Sequence, residues 1–313
     1  MQIESFAGYA FAKGHSASYA VESYQSLYLK AHYPLEYLVA VLNNGGGFYD
    51  TETYLHEARM KGAIIHPPDI NKSEYLCIIR GNEIYIGFAF IKDMEQSNIM
   101  HVITERQKNG DYLSFDDFTL RVNISVEQLI LLIRSGAFEF TGVDKKVLLW
   151  KAHLLNKQNT QSEKQNQLFK IANKKFNLPQ LKTEKLEHIY DQMELLGFSL
   201  YSPFELLKEK PKSNFIAKLL PVYINKNILI YGYLIHVKYT RTAKKEQMHF
   251  GTFIDTEGHF IDTVHFPNAA RSYPFRGKGI YVIYGKVVSE FGFISIEVSK
   301  MFKQDYLPDP RYE

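Results

Sequence analysis

A chain of 313 residues has room for two or three units that each bury a core, and its 45% hydrophobic content is that of a soluble globular protein. The single cysteine, Cys77, excludes an internal disulfide framework and a cysteine-based zinc site and fits a reducing cytoplasm. A net charge of +3 is too small to announce a nucleic-acid binder, and with no membrane-length apolar run and no signal pattern the expected compartment is the cytoplasm, with no membrane partner.

From Ala17 the apolar residues Ala17, Ala20, Val21, Tyr24, Leu27, Tyr28 and Ala31 recur at steps of three and four. This spacing predicts a helix with one apolar face, capped by Ser16. Pro34 ends that helix near Tyr33 and opens a second, with Leu35, Leu38, Val39 and Leu42 on its face and Gly45 to Gly47 as its stop. The two read as a buried helical hairpin. At its entrance, Lys13-Gly14-His15-Ser16 brings a cation, an imidazole and hydroxyls to a helix N-terminus, where free amides and the helix dipole favour phosphate. The same residues also read as a solvated lysine and a hydrogen-bonded capping neighbour.

Asp50 or Thr51 caps a short helix carrying Tyr54, Leu55 and Ala58 and ending at Gly62. Pro67 and Pro68 force the next segment to be extended. Tyr75 to Ile79 and Glu83 to Phe88 flank Arg80-Gly81-Asn82 as a hairpin. Ile99 to Arg106 and Ser125 to Arg134 are helical, the second opened by the capping box of Ser125 and Gln128. Between Val143 and Lys182 stand Lys145, Lys146, Lys151, Lys157, Lys164, Lys170, Lys174, Lys175 and Lys182 against only Asp144 and Glu163. Such a stripe can follow a phosphate backbone or be a solvated linker. Asn156 to Asn166 has a linker composition, and Leu186, Ile189, Tyr190, Met193 and Leu196 form another helix, stopped by Gly197.

The last third changes class. β-rich runs at Ile228 to Tyr239, Met248 to Asp255, His259 to Phe266, Gly279 to Ser289 and Phe293 to Lys300, with one longer connection at Pro267 to Lys278, fit an oligonucleotide-binding (OB) barrel. On such a barrel single strands cross the second and third strands, with aromatics stacking on bases and cations following phosphates. The candidates are Tyr239, Arg241, Lys244, Lys245, His249 and either Phe250 or Phe253. Alternation puts those two phenylalanines on opposite faces, so at least one is core.

The segment FAGYAFAKGHSASYAVESYQSLYLKAHYPLEYLVAVLNN resembles the end of the fingers domain in the C-family DNA polymerases, the bacterial DNA polymerase III alpha subunits. Phe6, Tyr9, Phe11, Lys13, His15, Ser16, Tyr19, Ala20, Leu29 to Tyr33 and Pro34 match that pattern. Pro67-Pro68-Asp69-Ile70-Asn71 is similar to a further family signature, Ser135-Gly136-Ala137-Phe138 to the end of its tandem helix-hairpin-helix elements, and Leu196-Gly197-Phe198-Ser199-Leu200 to a later one in which Ser202 replaces the usual histidine. The first of the tandem hairpins departs from the pattern: Lys92-Asp93-Met94-Glu95-Gln96 carries carboxylates in place of phosphate-approaching glycines, so it is expected to be structural.

The resemblance implies an α+β multidomain chain: fingers end at 1–72, hairpin and helix-hairpin-helix region at 73–155, basic linker at 156–182, helical connector at 183–226, OB domain at 227–303 and tail at 304–313. It implies that Lys13, His15, Ser16 and Tyr19 meet the incoming nucleotide, and that Gln165, Leu168 and Phe169 form a peptide holding the sliding clamp. It further implies DNA, other replisome subunits and the palm and thumb of the polymerase as partners. The palm aspartates and their magnesium belong to a part of the family protein upstream of everything matched, so no catalytic residue, metal ligand or cofactor is expected within this chain, which alone would be inactive. The chain would then be a fragment, a truncated reading frame or a separately encoded half; the Gly45 to Arg59 stretch and the altered hairpin point to the error-prone branch. A stand-alone DNA- and clamp-binding adaptor is the alternative.

Overall fold

The computed structural model describes residues 13–162, 182–213 and 215–312. The first two helices, α1 (Lys13–His32) and α2 (Pro34–Asn43), meet at Tyr33, and Pro34 occupies the first turn of α2, where its missing amide hydrogen costs nothing. Because α1 begins at Lys13, Ser16 lies inside its first turn and is not its cap. Nor is the hairpin buried as expected. Tyr24 is 71% exposed, Tyr19, Val21, Leu27 and Tyr28 are exposed with it, and only α2 buries its face, through Leu38, Val39 and Leu42.

Three further elements follow: α3 (Thr51–Met60), β1 (Ile64–His66) and the predicted hairpin of β2 (Ile78–Arg80) and β3 (Glu83–Tyr85). The strand order is β1-β3-β2, with β1 parallel to β3. α4 (Gln96–Asn109) then supplies Arg106, whose buried guanidinium donates to the Ile70 and Ser73 carbonyls at 2.8 and 2.9 Å and pairs with Glu74 at 2.7 Å. One side chain thereby satisfies the backbone of the proline-rich turn, which has no ladder of its own.

Helices α5 (Phe115–Arg121), α6 (Val126–Ser135), α7 (Lys145–Ser162) and α8 (Lys185–Leu195) complete the helical body. α6 is opened by Ser125, whose hydroxyl accepts from the Gln128 amide. α5 and α7 lack a predicted counterpart, and α7 runs into residues assigned to the linker by composition.

The barrel consists of β4 (Asn227–Arg241), β5 (Gln247–Ile254), β6 (Phe260–His265), β7 (Ile280–Glu290) and β8 (Phe293–Lys303), with α9 (Pro267–Ser272) in the long connection. It closes in the order β4-β5-β6-β8-β7, with β4 also paired to β7 and only β6 and β8 parallel. This is an OB barrel. Ile230, Phe253, Ile261, Ile283, Val287 and Ile296 fill it. At Gly285 a Cβ would lie 2.4 Å from the Glu297 carbonyl oxygen, so only glycine lets β7 and β8 approach there.

The barrel is fastened to the helical body from two sides. Lys278 pairs with Glu52 at 2.6 Å and Asp50 at 3.1 Å, the Tyr233 hydroxyl meets Glu52 at 3.0 Å, and His56 Nε2 donates to the Gly258 carbonyl at 2.7 Å. Burial pushes the Tyr233 phenol up, so it stays a donor to the Glu52 carboxylate. On the other side the C-terminal segment docks onto α8: Leu307 N donates to Leu206 O, and Arg311 pairs with Asp191, Glu194 and Asp309.

Candidate nucleic-acid interface

The connection from β4 to β5 is short and turns sharply. Lys245 holds a left-handed φ of 64°, with its amide donating to Thr242 O and Glu246 N donating to Thr242 Oγ1. The turn leaves Arg241, Lys244 and Lys245 exposed, and none of the three forms an ion pair among the described residues. Holding a lysine in a left-handed conformation costs about 1–2 kcal/mol, and here it projects cations into water.

Strand register sorts the neighbouring aromatics. Tyr239 pairs with His249 and Lys238 with Phe250, so these two pairs face opposite ways. Tyr239 is 68% exposed, with the His249 ring 4.7 Å away at 75°. His249 itself is turned into the barrel mouth and buried, which corrects its place among the base-contacting candidates. The choice between the two phenylalanines is settled as well: Phe253 is 0% exposed in the core, while Phe250 faces outward beside Lys238. Sequence reasoning missed Lys238, because only the register brings it to Phe250.

At the other end of the chain, His15 and Tyr19 lie one turn apart on α1, with ring centroids 5.1 Å apart and edge to face. Both are exposed, as is Ser16, and Lys13 opens the helix. Spacing along one helix brings His15 and Tyr19 together. No contact joins them to the basic turn of the barrel among the described residues. Gln165, Leu168 and Phe169 lie outside the described residues.

In the helix-hairpin-helix region the hairpin backbone is already bonded to protein. Glu95 N donates to Gln128 Oε1 at 2.8 Å, Gln128 Nε2 donates to Asp93 O at 2.9 Å, and Lys92 N donates to Leu195 O at 2.8 Å. The second hairpin leads into α7 through Asp144, whose carboxylate accepts from Lys146 N and from the amide and hydroxyl of Thr183. Those hydrogen bonds hold Asp144 below the usual carboxylate range against its partial burial. A carboxylate therefore occupies the start of α7, where an incoming phosphate would otherwise sit. The lysine stripe dissolves in part too: Lys145 pairs with Asp191, Lys146 with Glu187 at 2.8 Å and Lys151 with Asp116 at 3.3 Å. These three lysines are neutralised inside the fold.

No group of three or more His, Cys, Asp or Glu side chains close enough to hold a metal occurs among the described residues. The magnesium of the complete polymerase therefore finds no donor set in this part of the chain, and no catalytic step is assigned to it. No helix among the described residues is long and apolar enough to cross a membrane.

Residues 62–148 match a helix-hairpin-helix motif family, the region bounded by α3 and α7. The DNA polymerase III subunit alpha of Staphylococcus epidermidis is 29% identical over 96% of this chain, and that of Aquifex aeolicus 30% identical over 85%. The chain is related to the alpha subunit of DNA polymerase III. It spans only 29% and 23% of those two relatives' lengths. An error-prone DNA polymerase of Bdellovibrio bacteriovorus is 33% identical over 49% of the chain and 15% of its own length. Among solved structures, the second OB-fold domain of replication protein A from Methanococcus maripaludis matches 28% of this chain and 94% of its own at 15% identity, with a TM-score of 0.23. The fold of the barrel rests on its strand order.

Proposed function

We propose that this chain works as the C-terminal part of a DNA polymerase III alpha subunit and contributes DNA, nucleotide and clamp contacts to template-directed synthesis. The observation that carries this reading is the similarity to those subunits over 96% of the chain. In this role the barrel guides the single-stranded template: Arg241, Lys244 and Lys245 follow its phosphates, and Tyr239 and Phe250 stack on its bases. The start of α1, with Lys13, His15, Ser16 and Tyr19, borders the incoming nucleotide. Gln165, Leu168 and Phe169 hold the sliding clamp by filling a pocket with two adjacent apolar side chains. The carboxylates and magnesium of nucleotidyl transfer come from a palm domain outside this chain, which has no polymerase activity by itself.

The barrel's role is tested by titrating a fluorescent single-stranded oligonucleotide at several salt concentrations. Each cation that neutralises a phosphate on a single strand contributes roughly 0.7 to the slope of log K against log salt. Replacing Arg241, Lys244 and Lys245 together with alanine is expected to make the slope shallower by about 2. An unchanged slope would remove the basic turn from the interface. For the clamp, Leu168→Ala with Phe169→Ala is expected to abolish binding in a titration against the purified clamp; undiminished affinity would end that assignment.

A further inference from the structure

The hairpin joining β7 to β8 ends in a conformation that the fold does not require. Glu290 and Phe293 close the ladder, leaving Phe291 and Gly292 as a two-residue turn with φ of 49° and 83°. Turns with both central residues at positive φ favour Asn-Gly, because asparagine tolerates the left-handed region and larger side chains resist it. Here a phenylalanine stands first. It is 101% exposed, and Phe293 after the turn is 80% exposed. A strained backbone carrying a large apolar side chain into water is unfavourable twice over, and the folded chain supplies no contact in return.

The register shows where this tip lies. β6 and β8 run parallel, with Thr263 beside Ile296 and Val264 beside Glu297. Carried back to the start of both strands, this pairing sets Phe293 beside Phe260. Phe260 is exposed and outward, since Ile261 and Thr263 point inward. Its ring is met edge-on by His56 at 5.9 Å, and His56 is itself fixed by its bond to Gly258. Phe250 is on the same outer face, four residues of strand away, about 13 Å, with Lys238 beside it. Between the two aromatic stations are Thr252 and Asp262, bonded at 3.0 Å, and Glu297. Carboxylates there repel phosphate and accept hydrogen bonds from the amino groups of bases, so a bound strand would turn its bases toward the sheet.

We infer that Phe260, Phe291 and Phe293 form a second base-stacking station for single-stranded nucleic acid, at the opposite end of the outer face from the basic turn. The inference deepens the proposed role of the barrel and rests on it. It commits to a nucleic-acid strand because the tip is continuous with a face that already carries Phe250 and Lys238. The span fits the roughly 4–16 nucleotides that one such barrel covers.

The test uses the 313-residue chain and fluorescein-labelled dT20, with anisotropy measured over a range of salt. Stacking losses on alanine substitution run to about 1–3 kcal/mol per base, or roughly 5- to 150-fold. Phe291→Ala with Phe293→Ala is expected to weaken dT20 at least about fivefold while leaving the salt slope as in the wild type, because no counterion-releasing group has been removed. Phe291→Asn is the second variant: it suits the turn, so it should weaken dT20 binding without lowering the thermal unfolding midpoint. If the wild type binds dT20 and both variants bind it equally well, the second station is wrong, the role of the barrel stands, and the tip serves a protein partner or nothing. If the wild type does not bind dT20, the inference and the reading beneath it fail together.

Discussion

Replacing Asp191 with alanine is expected to destabilise the helical body by about 3–5 kcal/mol, the cost of removing one partner from a buried ionic network. Asp191 is 2% exposed and accepts from three cations: Arg134 at 2.8 Å, Arg311 at 2.6 Å, and the buried ammonium of Lys145. Glu194 and Asp309 complete the set, so three positive and three negative groups balance. Without Asp191, Lys145 stays buried with no partner to replace the water it has lost, and Arg134 and Arg311 are held by Glu194 and Asp309 at the rim alone. The network joins α6, α7, α8 and the C-terminal segment, so its loss should also release the segment that ties the barrel to α8. Trp150, the single tryptophan, sits on α7 close to Lys145 in sequence and offers a local signal for urea unfolding. Asp191→Asn should cost nearly as much as Asp191→Ala, because shape is kept and charge is not. Adding Lys145→Met to Asp191→Ala should restore part of the loss by removing the stranded cation. A shift below about 1 kcal/mol for Asp191→Ala would mean that water reaches the network, as at an exposed pair.

This network marks a limit of what sequence could show. Lys145, Lys146 and Lys151 read as part of a cationic stripe because their neighbours in sequence are uncharged or basic. Their partners Asp191, Glu187 and Asp116 lie 46, 41 and 35 residues away, and nothing in local spacing points to them. The strands were legible because each carries an inward-outward alternation that a short window detects, as at Phe250 and Phe253. α7 was not, because its second half is polar and offers no apolar period, and α5 is short enough that its one signal, Ser114 accepting from Asp117 N, is easily passed over. α1 was predicted as a helix correctly, but its burial was not, since an apolar stripe gives the face of a helix and says nothing of what covers it. In the candidate site, the basic turn needed no structure to be found. The placing of Phe293 beside Phe260 did, because it depends on the register of two strands 33 residues apart in sequence.

The barrel should lose about 3 kcal/mol of stability between pH 7 and pH 4 through one side chain, His265. It is fully buried, and Thr263 Oγ1 lies 2.9 Å from both its Nε2 and the Gly251 carbonyl oxygen. The carbonyl can only accept, so the single hydroxyl proton goes to Gly251. The imidazole must then donate at Nε2, which leaves Nδ1 with a bare lone pair and no partner. A proton added at Nδ1 would create a buried cation with nothing to receive it, facing His249 from β5 and the Phe275 ring from the connection after α9. Burial, with a smaller contribution from His249, pushes the group down from 6.5 to about 4. The folded pKa lies below the unfolded one, so between them the unfolded chain binds more protons. The contribution is therefore complete above about pH 6.5, is lost progressively as the pH falls through this window, and changes no further below about pH 4. Other groups titrate over the same range, so the informative quantity is the difference between wild type and His265→Asn, followed by circular dichroism in urea. The asparagine variant is expected to be the less stable at pH 7, where it leaves a small cavity. The gap should then narrow by about 3 kcal/mol by pH 4, because the variant has no imidazole to charge. A gap that stays constant from pH 7 to pH 4 would show that His265 takes up its proton in the folded barrel as readily as in the unfolded chain.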